Sequence, residues 1–513
     1  MFFEGRKNEY EKFLFVNNII ICVGDIMTTS NSDRVPFREK LALGVGAVSS
    51  LFGYLGINTV ARTIYIMILG VNPFWVGIAL FIPRFMDGFL DPLMGKISDN
   101  FRSKLGRRRP FIVIGAVLMG IVFGLIWMVP ESWSQTAKVV YFVVMQLIFF
   151  ACYTVFAVPY GALSYEMTPD YKERNSVMAY TTFFHKVAEF LYEWITPLAA
   201  LFSMAYFAAN LVNGQTVEIN GMRVMAWVVG IGIMAGIGII PGLFVRERFV
   251  QKTKHPEKVK LVQTCKEAFS SRPFIVLVAI VILNVLSGVL AMGMDHIVMT
   301  YYMANGDITL GSIWKGLLSS GYAVVGIASI PIIAWLANMF GKKGSLYFVY
   351  SLMVFGGIMK WFIFTPGHHL YYIGKIAIDP VILIDPLLCG PMWVAVKIML
   401  ASMMADICDD DELRYGKRRE GMFGGAFSFL EKTAWSLSAV GYGFTLWLSG
   451  YHSELGGNQS SQTFTIMRLF LAGAPTITAI FAILALKYYP ITAESAAETR
   501  RKLEERRGTV ISG

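Results

Sequence analysis

The chain has 513 residues, of which 55% are hydrophobic and 16% charged, with a mean hydropathy of +0.55. No soluble domain hides that much apolar surface, so the composition specifies a polytopic membrane protein and excludes an ordinary water-soluble domain. The net charge of +10 does not mark a nucleic-acid partner, because the basic residues sit in short clusters between long apolar runs, the pattern that orients a protein in a bilayer.

In chain order, residues 1–40 read as an N-terminal extension. Phe13 to Val23 is apolar apart from Asn17 and Asn18, but it falls short of the roughly 20 residues a bilayer span requires. Apolar segments long enough to cross then recur at 41–69, 73–97, 109–129, 139–164, 177–208, 223–246, 274–303, 312–338, 344–364, 383–405, 421–450 and 464–488. The fold class predicted is therefore an all-α membrane protein of twelve transmembrane helices. Loops after even-numbered spans carry Arg102, Lys104, Arg107, Arg108 and Arg109, then Lys172 and Arg174, Lys342 and Lys343, and Arg414 to Arg419, whereas loops after odd-numbered spans carry few cations. The positive-inside bias places both termini in the cytoplasm of a multi-pass plasma (inner) membrane protein.

The longest charged segment, 247–273, reads as a cytoplasmic linker between a six-helix bundle at 41–246 and another at 274–488, with a cytoplasmic tail at 489–513. "GKISDNFRSKLGRRRP" after span two and "AWLANMFGKKGS" after span eight are a faint internal repeat at corresponding places. Duplicated halves of this kind hold the substrate near the membrane midplane between them.

Charge within the spans needs a reason, since an unpartnered carboxylate in the bilayer costs at least about 2.5–3.5 kcal/mol. Asp87 and Asp91 lie one helical turn apart on span two, with Arg84 a turn before Asp87. Two neighbouring carboxylates can together hold a small cation or share a proton. Span one offers Tyr54, Asn58 and Arg62, span five Lys186, Glu189 and Glu193, and span ten Trp393 and Lys397. Lys186 and Glu189 can neutralise each other, which leaves Glu193 for a substrate or cation. Aromatic rings against apolar sugar faces and charged groups against hydroxyls make these residues substrate candidates, as does Tyr160 in "VPY". The five cysteines form neither a disulfide framework nor a CxxC site. There is no HExxH, P-loop or GxSxG, so a membrane enzyme or an ATP-driven pump is not expected.

Gly95, Asp99, Gly106, Arg107 and Arg108 resemble the loop signature of the major facilitator superfamily. More narrowly, "DGFLDPLMGKISD", "VPYGALSYEMTPDYKER" and "MMADICDDDELRYGKRREGMFGG" resemble the glycoside-pentoside-hexuronide:cation symporters of the melibiose-permease type, from about span one to span twelve. The resemblance implies two pseudo-symmetric six-helix bundles and uptake of a sugar coupled to sodium, lithium or protons, with no other cofactor. It matches Asp87 and Asp91 to the cation-site aspartates, and Lys432 on span eleven to a lysine that communicates with that site. Lys432 is then expected to compete with the cation for the two carboxylates, with Arg84 as a further coupling residue. Three positions depart from the pattern: Ala157 replaces an acid on span four, span one lacks its sugar-anchoring acid, and Thr182 replaces an arginine on span five. These losses count against melibiose itself.

The expected cargo is a neutral glycoside. The alternatives are a hexuronide, a lysolipid, or a receptor or scaffold that moves nothing. The expected partners are a small solute and the lipid bilayer, with no nucleic acid, and the protein is expected to be a monomer. A cytoplasmic gate is expected to join the halves through Gly95, Asp99, Gly106, Arg107 and Arg108 with Asp170, Arg174 and Glu420, as a network of individually weak ion pairs.

Overall fold

The computed structural model describes residues 35–168, 171–207, 214–247, 268–291, 293–374, 376–416 and 420–507. The expected N-terminal extension up to residue 34 and most of the expected linker, residues 248–267, lie outside the described residues.

Each of the twelve apolar segments is helical. Span one is Phe37–Ile68, span two Pro73–Asn100, span three Arg109–Ile126 and span four Gln135–Glu166. Span five is broken into Tyr171–Tyr192 and Ile195–Phe207, and span six runs from Gly214–Trp227 through Val228–Ile237 to Gly238–Phe244. Span seven is Arg272–Met303. Spans eight and nine are joined in Ile308–Ile363 and divided by Gly341, whose φ is 69°. Spans ten, eleven and twelve are Ile384–Tyr415, Glu420–Leu448 and Ser461–Lys487.

Among the described residues, eight stretches are long and apolar enough to cross a membrane by length and composition alone. The more polar spans two, five and eleven are packed among the others: span two lies against spans four and eleven, and span five against span one. A two-stranded hairpin, Tyr371–Ile373 with Ile376–Ile378, departs from the all-α expectation between spans nine and ten. The tail holds a helix, Ala493–Arg507, that packs on span ten.

Four helices that start at the end of the bundle opposite the arginine loop share one device. Asn72, Ser134, Asp307 and Ser460 each accept a backbone N–H of the first turn, at Phe74, Ala137, Leu310 and Thr463. These side chains satisfy donors that have no partner within the helix. Along span three, Ile114, Leu118, Ile121 and Leu125 form an exposed stripe at helical spacing, as a lipid-facing surface requires. Its inner face meets span six so closely that a Cβ on Gly120 or Gly230 would lie 2.3 Å from the other's carbonyl oxygen.

The buried core shows how the halves meet. One cluster unites spans of the first half with Met299, Tyr301, Trp314, Tyr442 and Tyr451 from the ends of spans seven, eight and eleven. A second cluster is made of residues from position 268 onward, such as Phe274, Tyr350, Met399 and Phe423. The halves therefore share a core at the end away from the arginine loop, here called the distal end. At the other end, called the basic end, the second half has a core of its own.

Candidate functional site

Three helix irregularities converge between the halves. Span one switches to π-helical geometry at Arg62 (Arg62–Ile68), span five breaks at Glu193, and span seven breaks at Gly293, whose φ is 80°. Irregular backbone at membrane depth is tolerated where it lines a cavity, and π-turns concentrate at functional sites. The guanidinium of Arg62 lies 3.9 Å from Glu193. It reaches across to the second half, since a Cβ on Gly293 would stand 2.9 Å from Arg62 Cδ and Nη1.

These breaks open onto a central cavity of about 300 Å³ whose walls come from both halves. Four ion pairs line it: Arg62–Glu193, Lys186–Glu189, Lys315–Asp295 at 2.6 Å and Lys360–Asp385 at 2.6 Å. The Tyr322 hydroxyl donates to Asp385 Oδ2 at 3.0 Å. Lys186 and Glu189 are 32% and 40% exposed, whereas Arg62 and Glu193 are 7% and 6% exposed, so the cavity opens toward the basic end and narrows away from it.

The distal end is sealed by contacts between the halves. Ser453 Oγ donates to the Val71 carbonyl at 3.1 Å, and deeper in, beside the cavity, Trp194 Nε1 donates to Ser320 Oγ at 2.7 Å. Gly443 of span eleven lies flat on the first turn of span two, where a Cβ would stand 2.5 Å from the Pro73 carbonyl oxygen.

The residues singled out from sequence divide into three places. Arg62, Glu189, Glu193 and Trp393 line the cavity, and Lys397 is exposed one turn from Trp393 toward the basic end. Asp87 and Asp91 are half-buried on span two and are not among its lining residues. Asp87 accepts the Thr154 hydroxyl of span four at 2.7 Å. Arg84 stacks over the Tyr54 ring, 3.9 Å from its centroid, and donates to the Tyr54 carbonyl, so it is held by span one. Lys432 falls within span eleven, which packs along span two, but its side chain lies outside what the structure describes. Asn58 is half-buried and is not part of the cavity wall. Tyr160 points elsewhere: its ring stacks on Phe156 and its hydroxyl donates to the Leu43 carbonyl at 2.8 Å, so it packs span four on span one.

The expected gate residues that are described form pairs inside one half. Gly106, at φ 110°, turns the loop so that the backbone N–H groups of Arg107, Arg108 and Arg109 converge on the Glu247 carboxylate at 2.7–3.2 Å. Arg107 and Arg108 both hold Glu166 of span four, at 2.6 and 2.7 Å, and Arg108 also holds Asp99 at 3.0 Å. Gly95 lies in ordinary contact with Val158 of span four. Asp170 lies outside the described residues, as do the side chains of Arg174 and Glu420.

Four cavity residues, Asp295, Lys315, Lys360 and Asp385, were missed from sequence, as was Tyr322. The signal was present, because a lone charge inside an apolar run, such as Lys360 in "GGIMKWFIF", obeys the same rule that singled out Arg62.

Residues 42–493 match the family described as MFS/sugar transport protein. The uncharacterized symporter YnaJ of Bacillus subtilis is 24% identical, covering 94% of this chain and 97% of its own. The glucuronide carrier protein homolog of Escherichia coli is 23% identical over 93% and 97% of the two chains. The sodium-dependent lysophosphatidylcholine symporter 1 of Gallus gallus is 23% identical over 93% and 90%. Among solved structures, a bacterial homolog of the human lysosomal transporter Spinster, inward-facing and unoccupied, superposes with a TM-score of 0.61 over 94% of this chain and 100% of its own at 12% identity, a likeness of fold. A twelve-span bundle in two halves with a central charged cavity, matched over nearly its whole length, places this chain in the MFS/sugar transport family of the major facilitator superfamily, among the membrane transporters of the glycoside-pentoside-hexuronide:cation symporter type.

Proposed function

We propose that the protein is a secondary active transporter that moves a small sugar-like solute together with sodium or a proton by alternating access, with no covalent step. The observation that carries this reading is the central cavity between the halves, sealed at the distal end and lined by four ion pairs. The solute occupies this cavity, and the cation occupies the Asp87–Asp91 face of span two. The carboxylate of Asp87 with the Thr154 hydroxyl offers hard oxygen ligands of the kind small cations prefer. Span two also carries the contact with span eleven, the span to which Lys432 belongs. A cation bound there alters the seam between the halves, and that is how its gradient drives the solute. The basic end is cytoplasmic by the positive-inside bias, the protein resides in the plasma (inner) membrane, and it works as a monomer.

Two relatives bear names that point to other cargo, a glucuronide and a lysophospholipid. A cavity of about 300 Å³ is at the lower end of the roughly 300–1,000 Å³ typical of small-molecule sites. That size favours a compact solute over one with a long acyl chain.

The test is uptake of labelled glycosides into proteoliposomes with and without a sodium or pH gradient. Asp87→Asn with Asp91→Asn should let solute equilibrate but reduce gradient-driven accumulation by about tenfold or more, the equivalent of about 1.4 kcal/mol of coupling. Accumulation that still follows the gradient in this double variant would remove the proposed cation site.

A further inference from the structure

Asp385 begins span ten at the inner end of the cavity and is 1% exposed. Its Oδ2 accepts Lys360 and Tyr322, while its Oδ1 has no hydrogen-bond partner. Its neighbour one turn along, Cys389, lies within reach of the carboxylate but offers only a weakly donating thiol. Across the cavity, in the first half, the Tyr192 hydroxyl lies close to the Glu193 carboxylate, but Glu193 Oε2 and Arg62 Nε are buried without a hydrogen bond of normal geometry. A buried acceptor without a donor carries its full desolvation cost, so the cavity wall presents two acceptors and one donor that no protein group satisfies. Anions can only accept and ammonium groups can only donate, whereas a hydroxyl does both. Among the lining residues, the four cations are matched by four carboxylates, so a charged cargo would enter with no counter-charge to spare.

We infer that Asp385 of span ten determines specificity in this cavity, its Oδ1 accepting one hydroxyl of a neutral polyhydroxylated solute while the Arg62–Glu193 pair engages another. The inference rests on the sugar-like reading above and narrows it. It sets an acid of span ten opposite the Arg62–Glu193 pair of the first half, so the cargo itself bridges the two halves. Lys360 and Tyr322 are positioning residues that hold the Asp385 carboxylate on its Oδ2 side. Occupancy then satisfies groups from both halves at once, which gives the loaded carrier a reason to differ in conformation from the empty one.

The test uses the full chain in proteoliposomes with neutral nitrophenyl glycosides (glucoside, galactoside, xyloside), their single-deoxy analogues, and nitrophenyl glucuronide as the anionic probe. At least one neutral glycoside should bind the wild type, and Asp385→Asn should weaken it by about tenfold or more. One deoxy analogue should bind the wild type about tenfold more weakly than its parent, yet equal its parent in Asp385→Asn, which a purely structural role for the aspartate would not produce. The double variant Lys360→Met with Asp385→Asn avoids stranding an ammonium and should show the same loss. The assignment is overturned if either variant, folded, keeps wild-type affinity, or if no deoxy penalty disappears. A wild type that binds the glucuronide but no neutral glycoside overturns it while leaving cation-coupled transport intact. One that binds none of the series overturns the sugar reading too.

Discussion

Gly293 does two things that another residue cannot. Its backbone is left-handed at φ 80°, and its missing Cβ leaves room for the Arg62 guanidinium. Gly293→Ala should therefore lose roughly 1–2 kcal/mol from the backbone alone, read as a lowered Tm in detergent. It should also displace Arg62 and impair solute binding. Gly473 in span twelve has nothing within 4 Å of a Cβ, so Gly473→Ala should be neutral or slightly stabilising, and a matching loss there would refute the packing argument. Arg62 and Glu193 were legible as intramembrane charge, but their meeting was not, because it depends on a π-turn, a helix break and a third break on span seven. Tyr160 shows the opposite case. An aromatic beside a family motif reads equally well as a ligand or as packing, and only its neighbours decide.

The helix connections carry a repeated device. Gly106-Arg107-Arg108 and Gly341-Lys342-Lys343 both start with a glycine of positive φ and continue with two cations. In the first half the cations hold Glu166 at the end of span four, and in the second Lys342 holds Asp406 near the end of span ten at 2.6 Å. The faint sequence repeat thus corresponds to equivalent ion pairs, each tying the loop to its own half. The two differ in burial, since Arg107 and Arg108 are 7% and 8% exposed and Lys342 is 35% exposed. Glu166→Gln strands the buried Arg107 guanidinium and leaves Arg108 with Asp99 alone, and should cost about 3–5 kcal/mol, whereas Asp406→Asn should cost about 1 kcal/mol or less. Thermal unfolding of the two variants side by side checks this, and a larger loss for Asp406→Asn would reverse the argument.

At the scale of the whole molecule, the shared core and the contacts at Val71 and Pro73 close the distal end, while the more exposed Lys186 and Glu189 mark the way in from the basic end. Gly443 is where the seam is tightest. Gly443→Val should wedge span eleven from span two and shift the population toward distal opening. Ser319→Cys in the cavity wall would then react with an impermeant maleimide from the distal face roughly tenfold faster in the Gly443→Val background. Unchanged labelling would mean that this contact does not govern closure.

The sequence by itself determined that the chain crosses a membrane twelve times in two related halves. Hydropathy, loop charge and caps are local properties, and a bilayer leaves helices few alternatives. It also pointed to the acids of span two and to the charges of spans one and five, because isolated charge in an apolar run is visible without a partner. The Lys186–Glu189 pair, three residues apart, was legible too, whereas tertiary structure alone decided which charges of different spans meet. Lys360 and Asp385 pair across two spans, and Lys315 and Asp295 lie on different spans. Which polar atoms are left unsatisfied depends on packing between the halves, a property that no single segment contains.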